Sequence, residues 1–161
     1  GMRMPYEDLL SSHVIRPHRF NLTETRVRVE EMLALAQRDL QYADGGGLPL
    51  DLHYVCAYSV IRVAAELVML SEGFRPDSAM GKHTAVFRFL SVVQGGHWAD
   101  DAKRFDRARK IRNELEYERP NVATPEQVDE LVERASRFLG EVRDWLRRHH
   151  ADLLPSAPEH A

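Results

Sequence analysis

The sequence predicts an all-α protein, an antiparallel up-and-down bundle of four to five helices. Three observations support this prediction. Apolar residues recur at three- and four-residue steps over long stretches, two helix starts carry capping patterns, and no segment keeps the apolar–polar alternation typical of a strand. The connections between the helical stretches are mostly short, and short loops join antiparallel neighbours in a bundle.

The first half of the bundle follows from these patterns in chain order. Residues 1–20 have no sustained period and are expected to form a short helical turn and a connecting arm. The first long helix is expected to begin at Asn21, with Glu24 as the capping-box partner, and to stop at the glycines 45–47. The second helix, from about Pro49 to Glu72, is apolar on nearly every side, so we expect it at the centre of the bundle.

The remaining three helices are set by polar starts and by glycine or proline ends. Ser78 is the expected cap of the third helix, which stops before Gly95. The fourth helix is expected to begin near Trp98 and to end shortly after Tyr117. Thr124 is expected to cap the fifth, which carries a proline in its first position. The apolar seam of this last helix is long enough to serve a dimer as well as the core.

Length and composition restrict the class of protein. A chain of 161 residues, 43% hydrophobic and 29% charged, is one domain that can bury a core, which excludes wholesale disorder and a disulfide-stapled scaffold. We expect the bundle over residues 21–151 and a disordered tail over residues 152–161. The longest apolar stretch, Val55 to Leu70, contains polar side chains and is shorter than the roughly 20 residues that span a bilayer. No membrane contact is therefore expected.

Charge and cysteine content bear on location and partners. The 22 Lys plus Arg against 25 Asp plus Glu give a net charge of −3, so the whole chain has no strong attraction to nucleic acid. Cys56 is the only cysteine and has apolar neighbours, which favours a core thiol in a reducing cytoplasm. The eight histidines form no zinc-binding pair at helical spacing, and no glycine-rich phosphate loop follows a strand. Neither a metal nor another cofactor is expected.

The segment 103–112 is strongly basic, with six basic residues against one acid. On a helix, Lys103, Arg107 and Lys110 share a solvent-facing stripe of the kind that contacts a phosphate backbone. Arg109 flanks this stripe and belongs to the same predicted nucleic-acid-binding set, as does Arg112. A solvated helix face has the same pattern, and three glutamates follow closely, so that simpler interpretation stays open.

Arg112 differs from the other basic residues because helical projection places it inside the apolar arc of its helix. A guanidinium cannot lose its proton, so a buried one needs an anion or several acceptors. In one interpretation Arg112 forms an internal ion pair with Glu66 or Glu116. In the other it projects into a cleft between the second and fourth helices, lined by Arg62, Glu66 and His83, where it meets a ligand phosphate.

Arg112 and Asn113, followed by three residues and Tyr117, resemble the Arg-polar-x-x-x-His signature of HEPN domains. The resemblance covers about residues 22–145 and includes the second and third helices. HEPN domains are helical bundles that commonly pair, and many act as metal-independent ribonucleases or as toxins in toxin–antitoxin and defence systems, while others bind nucleotides or partners. For this chain the resemblance implies an RNA or nucleotide ligand, a homodimer and an antitoxin-like protein partner.

The resemblance also implies roles for three residues. Arg112 would bind the scissile phosphate, Asn113 would orient it, and Tyr117 would position the sugar or base. Tyr117 stands where catalytic members carry histidine, and an unperturbed phenol titrates near about 10, too high for acid–base catalysis at neutral pH. We therefore expect an RNA- or nucleotide-binding or regulatory protein whose catalysis is weak or absent. A metal-independent endoribonuclease and a purely structural helical dimer are the alternatives.

Overall fold

The computed structural model describes residues 6–77, 81–117 and 123–155, which form a bundle of helices with one small sheet. The helices are α1 (Glu7–Ser11), α2 (Leu22–Asp44), α3 (Leu50–Ser71), α4 (Lys82–Leu90), α5 (Ala99–Tyr117) and α6 (Pro125–His149). The strands are β1 (Ile15–Pro17) and β2 (Phe74–Pro76). The prediction of a helical bundle is thereby confirmed.

Both predicted capping boxes are present and start the two longest helices of the described chain. The Asn21 side chain accepts a hydrogen bond from the Glu24 backbone N–H at 2.8 Å at the start of α2. The Thr124 hydroxyl accepts one from the Gln127 backbone N–H at 3.2 Å at the start of α6. Each box satisfies backbone donors that a helix start leaves without an intrahelical partner, which explains why these two boundaries could be predicted.

Helix α3 lies at the centre, as its sequence predicts. It packs against α2, α4, α5 and α6, and most of its residues from Tyr54 onward are buried. Among the described residues it is the one helix long and apolar enough to cross a membrane, but 72% of its most apolar stretch is buried within the bundle. Its side chains at Ser59, Arg62 and Glu66 are half-buried, so its polar face meets other helices instead of facing water alone.

Aromatic rings join α5 to α6. Phe105 and Phe138 have ring centroids 4.9 Å apart, and Trp98 packs edge-on against both Phe138 and Trp145. The apolar seam of α6 lies inside the chain's own core, and its least buried member, Val132, also packs against that core. A homodimer of this protein would therefore have to use a surface other than this seam.

The start and the end of α4 differ from the prediction in ways that the backbone explains. Ser78 lies outside the described residues, and the described helix begins at Lys82 with Gly81 as its N-cap. The helix ends at Leu90, before the glycines, and a separate 3₁₀ turn over residues 93–96 follows. In this turn Gln94 has a φ of 54° and Gly95 a φ of 62°. Both values lie in the left-handed region, which a right-handed helix does not enter.

An antiparallel two-stranded sheet, which the sequence did not predict, joins the N-terminal arm to the turn after α3. Ile15 pairs with Pro76, and Pro17 pairs with Phe74. Strands of three residues are too short for the alternating pattern that identifies a strand, and the two partners are distant in sequence. Ile15 is almost fully buried, so this part of the arm belongs to the core.

One carboxylate connects the two ends of the described chain. Glu72, at the end of α3, accepts a hydrogen bond from the Tyr6 hydroxyl, and its other oxygen lies 2.7 Å from His150 Nε2. The hydrogen bond from His150 lowers the pKa of Glu72, and burial acts in the opposite direction. Residues 151–153 then form a 3₁₀ turn with Leu153 buried in the core, so Asp152 and Leu153 do not belong to a disordered tail, and residues 156–161 lie outside the described part of the chain.

Glu72→Gln is expected to lower the free energy of unfolding by about 1–2 kcal/mol at pH 7, because the amide loses charge-assisted hydrogen bonds. The folded protein holds the pKa of Glu72 below its ordinary value of 4.5. The stabilisation is therefore present above that pH and is lost as the pH falls through the folded-state pKa. Urea unfolding at pH 7 and well below pH 4.5 measures the free energy of unfolding of both proteins. The difference in this free energy between wild type and variant should be smaller at the acidic pH.

The control for this measurement is Glu133→Gln on α6. The Glu133 side chain is 72% exposed and pairs only with a neighbour on its own helix, so its replacement should have little effect at either pH. An equal loss of stability in Glu72→Gln at both pH values would contradict a role for the Glu72 charge.

Candidate anion-binding site

Polar side chains from α3, α4 and α5 meet on one side of the bundle. Tyr58, Arg62 and Glu66 occupy successive turns of α3 and therefore share one face. The start of α4 and the last turns of α5 lie against this face. We call the following set the anion cluster: Tyr58, Arg62, Glu66, Lys82, His83, Arg109, Arg112, Asn113 and Glu116.

Arg112 is half-buried and only partly satisfied. Its Nη2 lies 3.0 Å from Glu116 Oε1, one turn later on α5, and its Nη1 donates to Asn113 Oδ1 at 3.4 Å. Its Nε is buried and has no hydrogen-bond partner among the described residues. The guanidinium carbon lies 5.8 Å from the ring centre of Tyr58. Of the two internal ion pairs that the sequence allowed, Arg112 forms the one with Glu116.

Glu66 pairs with two other cations and not with Arg112. Arg62 lies 3.0 Å from one carboxylate oxygen, and Lys82, in the first turn of α4, lies 3.2 Å from the other. The Glu66 side chain is only 14% exposed, whereas that of Lys82 is 62% exposed, so the carboxylate is shielded from water but one of its two partners is not.

Positive charge exceeds negative charge around the cluster. Like Glu66, Asp106 serves two cations, Arg109 at 2.9 Å and Lys110 at 3.9 Å. Five cationic groups therefore share three carboxylates in these ion pairs. The cations are Arg62, Lys82, Arg109, Lys110 and Arg112, and the carboxylates are Glu66, Asp106 and Glu116. An excess of positive charge beside half-buried surface attracts an anion more strongly than the same charges in water would.

His83 and Tyr58 form a neutral pair within this positive environment. The Tyr58 hydroxyl lies 2.8 Å from His83 Nδ1. Burial, together with the charges of Arg62 and Arg112, lowers the pKa of His83 to about 4. Burial also raises the pKa of Tyr58, although Arg112 opposes that shift. Both groups are therefore uncharged at pH 7. A phenol that donates to Nδ1 leaves the His83 proton on Nε2, where it can donate to a ligand.

The start of α4 adds to the positive potential. No side chain caps its first turn, and that turn contains Lys82 and His83 but no acidic residue. The N-terminus of a helix carries a partial positive charge, so a cation there is unfavourable unless an anion is near. Glu66 supplies one negative charge at this place, and it already has two partners.

The structure separates the five predicted nucleic-acid contacts into two groups. Arg109 and Arg112 belong to the anion cluster. Lys103, Arg107 and Lys110 instead line a groove between α4 and α5. Lys110 connects the two surfaces, because its ammonium group and Arg109 share a carboxylate.

Tyr117, the third predicted catalytic residue, ends α5, and its side chain lies outside the described part of the structure. Residues 118–122 likewise lie outside it. The position of Tyr117 relative to Arg112 therefore stays a prediction from helical spacing.

Sequence reasoning missed two members of the anion cluster. Tyr58 lies one turn before Arg62, and this spacing could have placed it on the polar face of α3. Its apolar neighbours made it resemble an ordinary core aromatic. Lys82 directly precedes His83, but nothing in the sequence relates it to Glu66, because that ion pair joins two different helices.

Comparisons of the chain with protein-family models, with curated proteins and with solved structures find no match. The resemblance to HEPN domains therefore depends on Arg112, Asn113 and Tyr117 and on their place near the end of the penultimate long helix.

Proposed function

We propose that this protein binds a phosphate group of RNA or of a nucleotide at the anion cluster, as a HEPN-like binding or regulatory protein with little or no catalysis. The observation that carries the proposal is the sharing of Glu66 by Arg62 and Lys82, which leaves one positive charge uncompensated on the face of α3 that Arg112 contacts. An arginine fork binds phosphate through paired hydrogen bonds of fixed geometry.

Each side chain has a role in this proposal that its position permits. Arg112 binds the phosphate, and Asn113, which accepts a hydrogen bond from it, orients the guanidinium. Arg62 and Arg109 supply charge from either side. His83 donates a hydrogen bond from Nε2 without adding a charge.

The low catalytic power in the proposal follows from the titration of the two groups at the centre of the cluster. A general acid or base works best when its pKa lies near the working pH. Burial and neighbouring arginines hold the pKa of His83 at about 4, and burial raises that of Tyr58 well above neutrality. Neither group exchanges a proton readily at pH 7, which supports binding over an endoribonuclease.

Binding of RNA is expected to raise the pKa of His83 by at least about one unit, because the phosphate charge offsets Arg62 and Arg112. By linkage, the affinity for RNA must then increase as the pH falls from 6 towards about 4. NMR titration of the His83 ring with and without saturating oligouridine RNA measures this shift. The phosphodiester groups of the RNA do not titrate in this pH range, so they do not contribute to the change in affinity.

His13 provides the internal control for that titration, because its side chain is 73% exposed and belongs to the arm. The NMR signals of the His13 ring should be the same with and without RNA. If RNA binds and the pKa of His83 does not change, the phosphate does not occupy the anion cluster. If no RNA or nucleotide binds at all, the proposed function is wrong.

A scaffold without a nucleic-acid ligand is the second candidate function, and the pairing of Arg112 with Glu116 favours it. In that case Arg112 serves only to hold the end of α5. The two candidates differ in what the loss of Arg112 does to binding and to stability, and that experiment is described in the Discussion.

A further inference from the structure

A groove of about 640 Å³ lies between α4 and α5, on a different side of α5 from Arg112. Its floor contains Phe87 from α4 and the small residues Ala99 and Ala102 from α5. Its rim is basic on both sides, with Arg88 on α4 and a row of cations on α5. That row consists of Lys103, Arg107 and Lys110.

The rim cations are largely uncompensated. Arg88, Lys103 and Arg107 have no ion pair with any carboxylate in the described ranges. The one acid in the groove lining, Asp106, is already shared by Arg109 and Lys110. An occupant of this groove therefore gains most if it brings negative charge to the edges and apolar groups to the middle.

The spacing of the α5 cations suits a helical occupant. Lys103, Arg107 and Lys110 lie on successive turns of one helix face, about 10 Å from first to last at about 1.5 Å per residue. A second helix laid along the groove repeats at the same interval. Acidic side chains at steps of four and three residues can then meet the three cations in turn.

The floor of the groove favours aliphatic side chains over nucleic-acid bases. Proteins that hold single strands stack the bases on aromatic rings. Phe87, the aromatic residue of the lining, is 3% exposed and offers no open ring face. The partly exposed Ala99 instead leaves room for a leucine-sized group, as in the grooves that take amphipathic helices.

From these observations we propose that the groove between α4 and α5 is a docking site for an acidic amphipathic helix of a partner protein. The apolar face of that helix would lie on Ala99, above the buried Ala102 and Phe87, and its glutamates or aspartates would flank the groove. This site adjoins the anion cluster through the ion pairs of Asp106, but it lies on a different side of α5 from Arg112 and does not depend on the proposed function.

The test uses the full chain and designed peptides of about four helical turns. The peptides carry a leucine face in several registers, with glutamates flanking it at four- and three-residue steps. Fluorescence anisotropy is measured for each peptide and for a version with lysine in place of every glutamate. At least one acidic peptide should bind, and its lysine version should bind at least about tenfold more weakly.

Two variants place the peptide in the groove. The double replacement Lys103→Glu with Arg107→Glu should weaken binding at least about tenfold. Arg147→Glu with Arg148→Glu on α6 makes the same change in net charge away from the groove and should leave binding nearly unchanged. Ala99→Phe, which fills the floor without changing charge, should also weaken binding.

Three outcomes would overturn the proposal. In the first, no acidic peptide binds better than its lysine version. In the second, peptide binding is insensitive to both groove variants. In the third, oligouridine RNA, and not a peptide, binds and is lost in the Lys103→Glu and Arg107→Glu variant, which would make the row of cations a nucleic-acid contact. Arg112→Ala should not alter peptide binding, so this proposal and the proposed function can fail separately.

Discussion

Replacing Arg112 with alanine is expected to weaken the binding of oligouridine RNA at least about tenfold. This is the effect of losing one charge-assisted contact to phosphate, which contributes about 1.5–3 kcal/mol. The dependence of affinity on salt should also become shallower by about one unit of log–log slope. Arg112→Lys keeps the charge but not the planar fork, so its affinity for RNA should lie between those of the wild type and Arg112→Ala. Anisotropy titrations over a range of salt concentrations measure all three.

The same variant distinguishes a ligand-binding Arg112 from a structural one. Its ion pair is with a glutamate on its own helix whose side chain is 31% exposed, and pairs of this kind contribute about 0.3–0.5 kcal/mol. We therefore expect the free energy of unfolding of Arg112→Ala to change by less than about 1 kcal/mol. A loss of several kcal/mol together with unchanged RNA binding would support the scaffold.

Arg134→Ala is a closely matched control. Arg134 also pairs with a glutamate one turn away on its own helix, at 2.9 Å, and its side chain is 23% exposed against 24% for Arg112. It lies on α6, outside the anion cluster. A general effect of removing one positive charge would weaken RNA binding equally in both variants, whereas a phosphate site at the cluster requires a much larger effect from Arg112.

The largest loss of stability is expected from Phe138→Ala. Phe138 is 1% exposed, and its ring meets Phe105 at 4.9 Å and Trp98 at 5.6 Å. Its removal leaves a cavity between α5 and α6, and such replacements cost about 3–5 kcal/mol. Urea unfolding followed by circular dichroism should show the unfolding midpoint at a lower urea concentration. The dependence of the free energy of unfolding on urea concentration should not change.

Val27→Ala is the control for the core. Val27 lies on α2 with half of its surface exposed, so the loss of its methyl groups should change the free energy of unfolding by less than about 0.5 kcal/mol. A small effect in Phe138→Ala would mean that α5 does not depend on the aromatic contact with α6. The position of Arg112 would then have to be fixed by α3 and α4 alone.

Local signals explain which parts of the fold could be predicted. The caps at Asn21 and Thr124 act over three residues, so the starts of α2 and α6 can be predicted from the local sequence. The apolar character of α3 likewise reflects burial on all sides. The pairing of Ile15 with Pro76 could not be predicted, because it joins two segments that α2 and α3 separate in the sequence.

The candidate site was predictable in part for the same reason. The helical period alone places Arg112 in the apolar arc of α5 and puts Arg62 and Glu66 on one face of α3. The choice between Glu66 and Glu116 was not predictable, because it depends on how three helices pack, with Lys82 on a third helix pairing with Glu66. Ion pairs between helices leave no periodic pattern in the sequence.

The carboxylate at the end of α3 also makes the two termini of the bundle interdependent. Tyr6 and His150 bind the same Glu72 side chain. The two ends of the described chain therefore lie close together. If one end unfolds locally, Glu72 loses one of its two hydrogen bonds. The carboxylate is then held less firmly in place for its partner at the other end. A circularly permuted chain, with a short linker near this junction and new ends opened at the glycine loop between α2 and α3, would keep every helix intact.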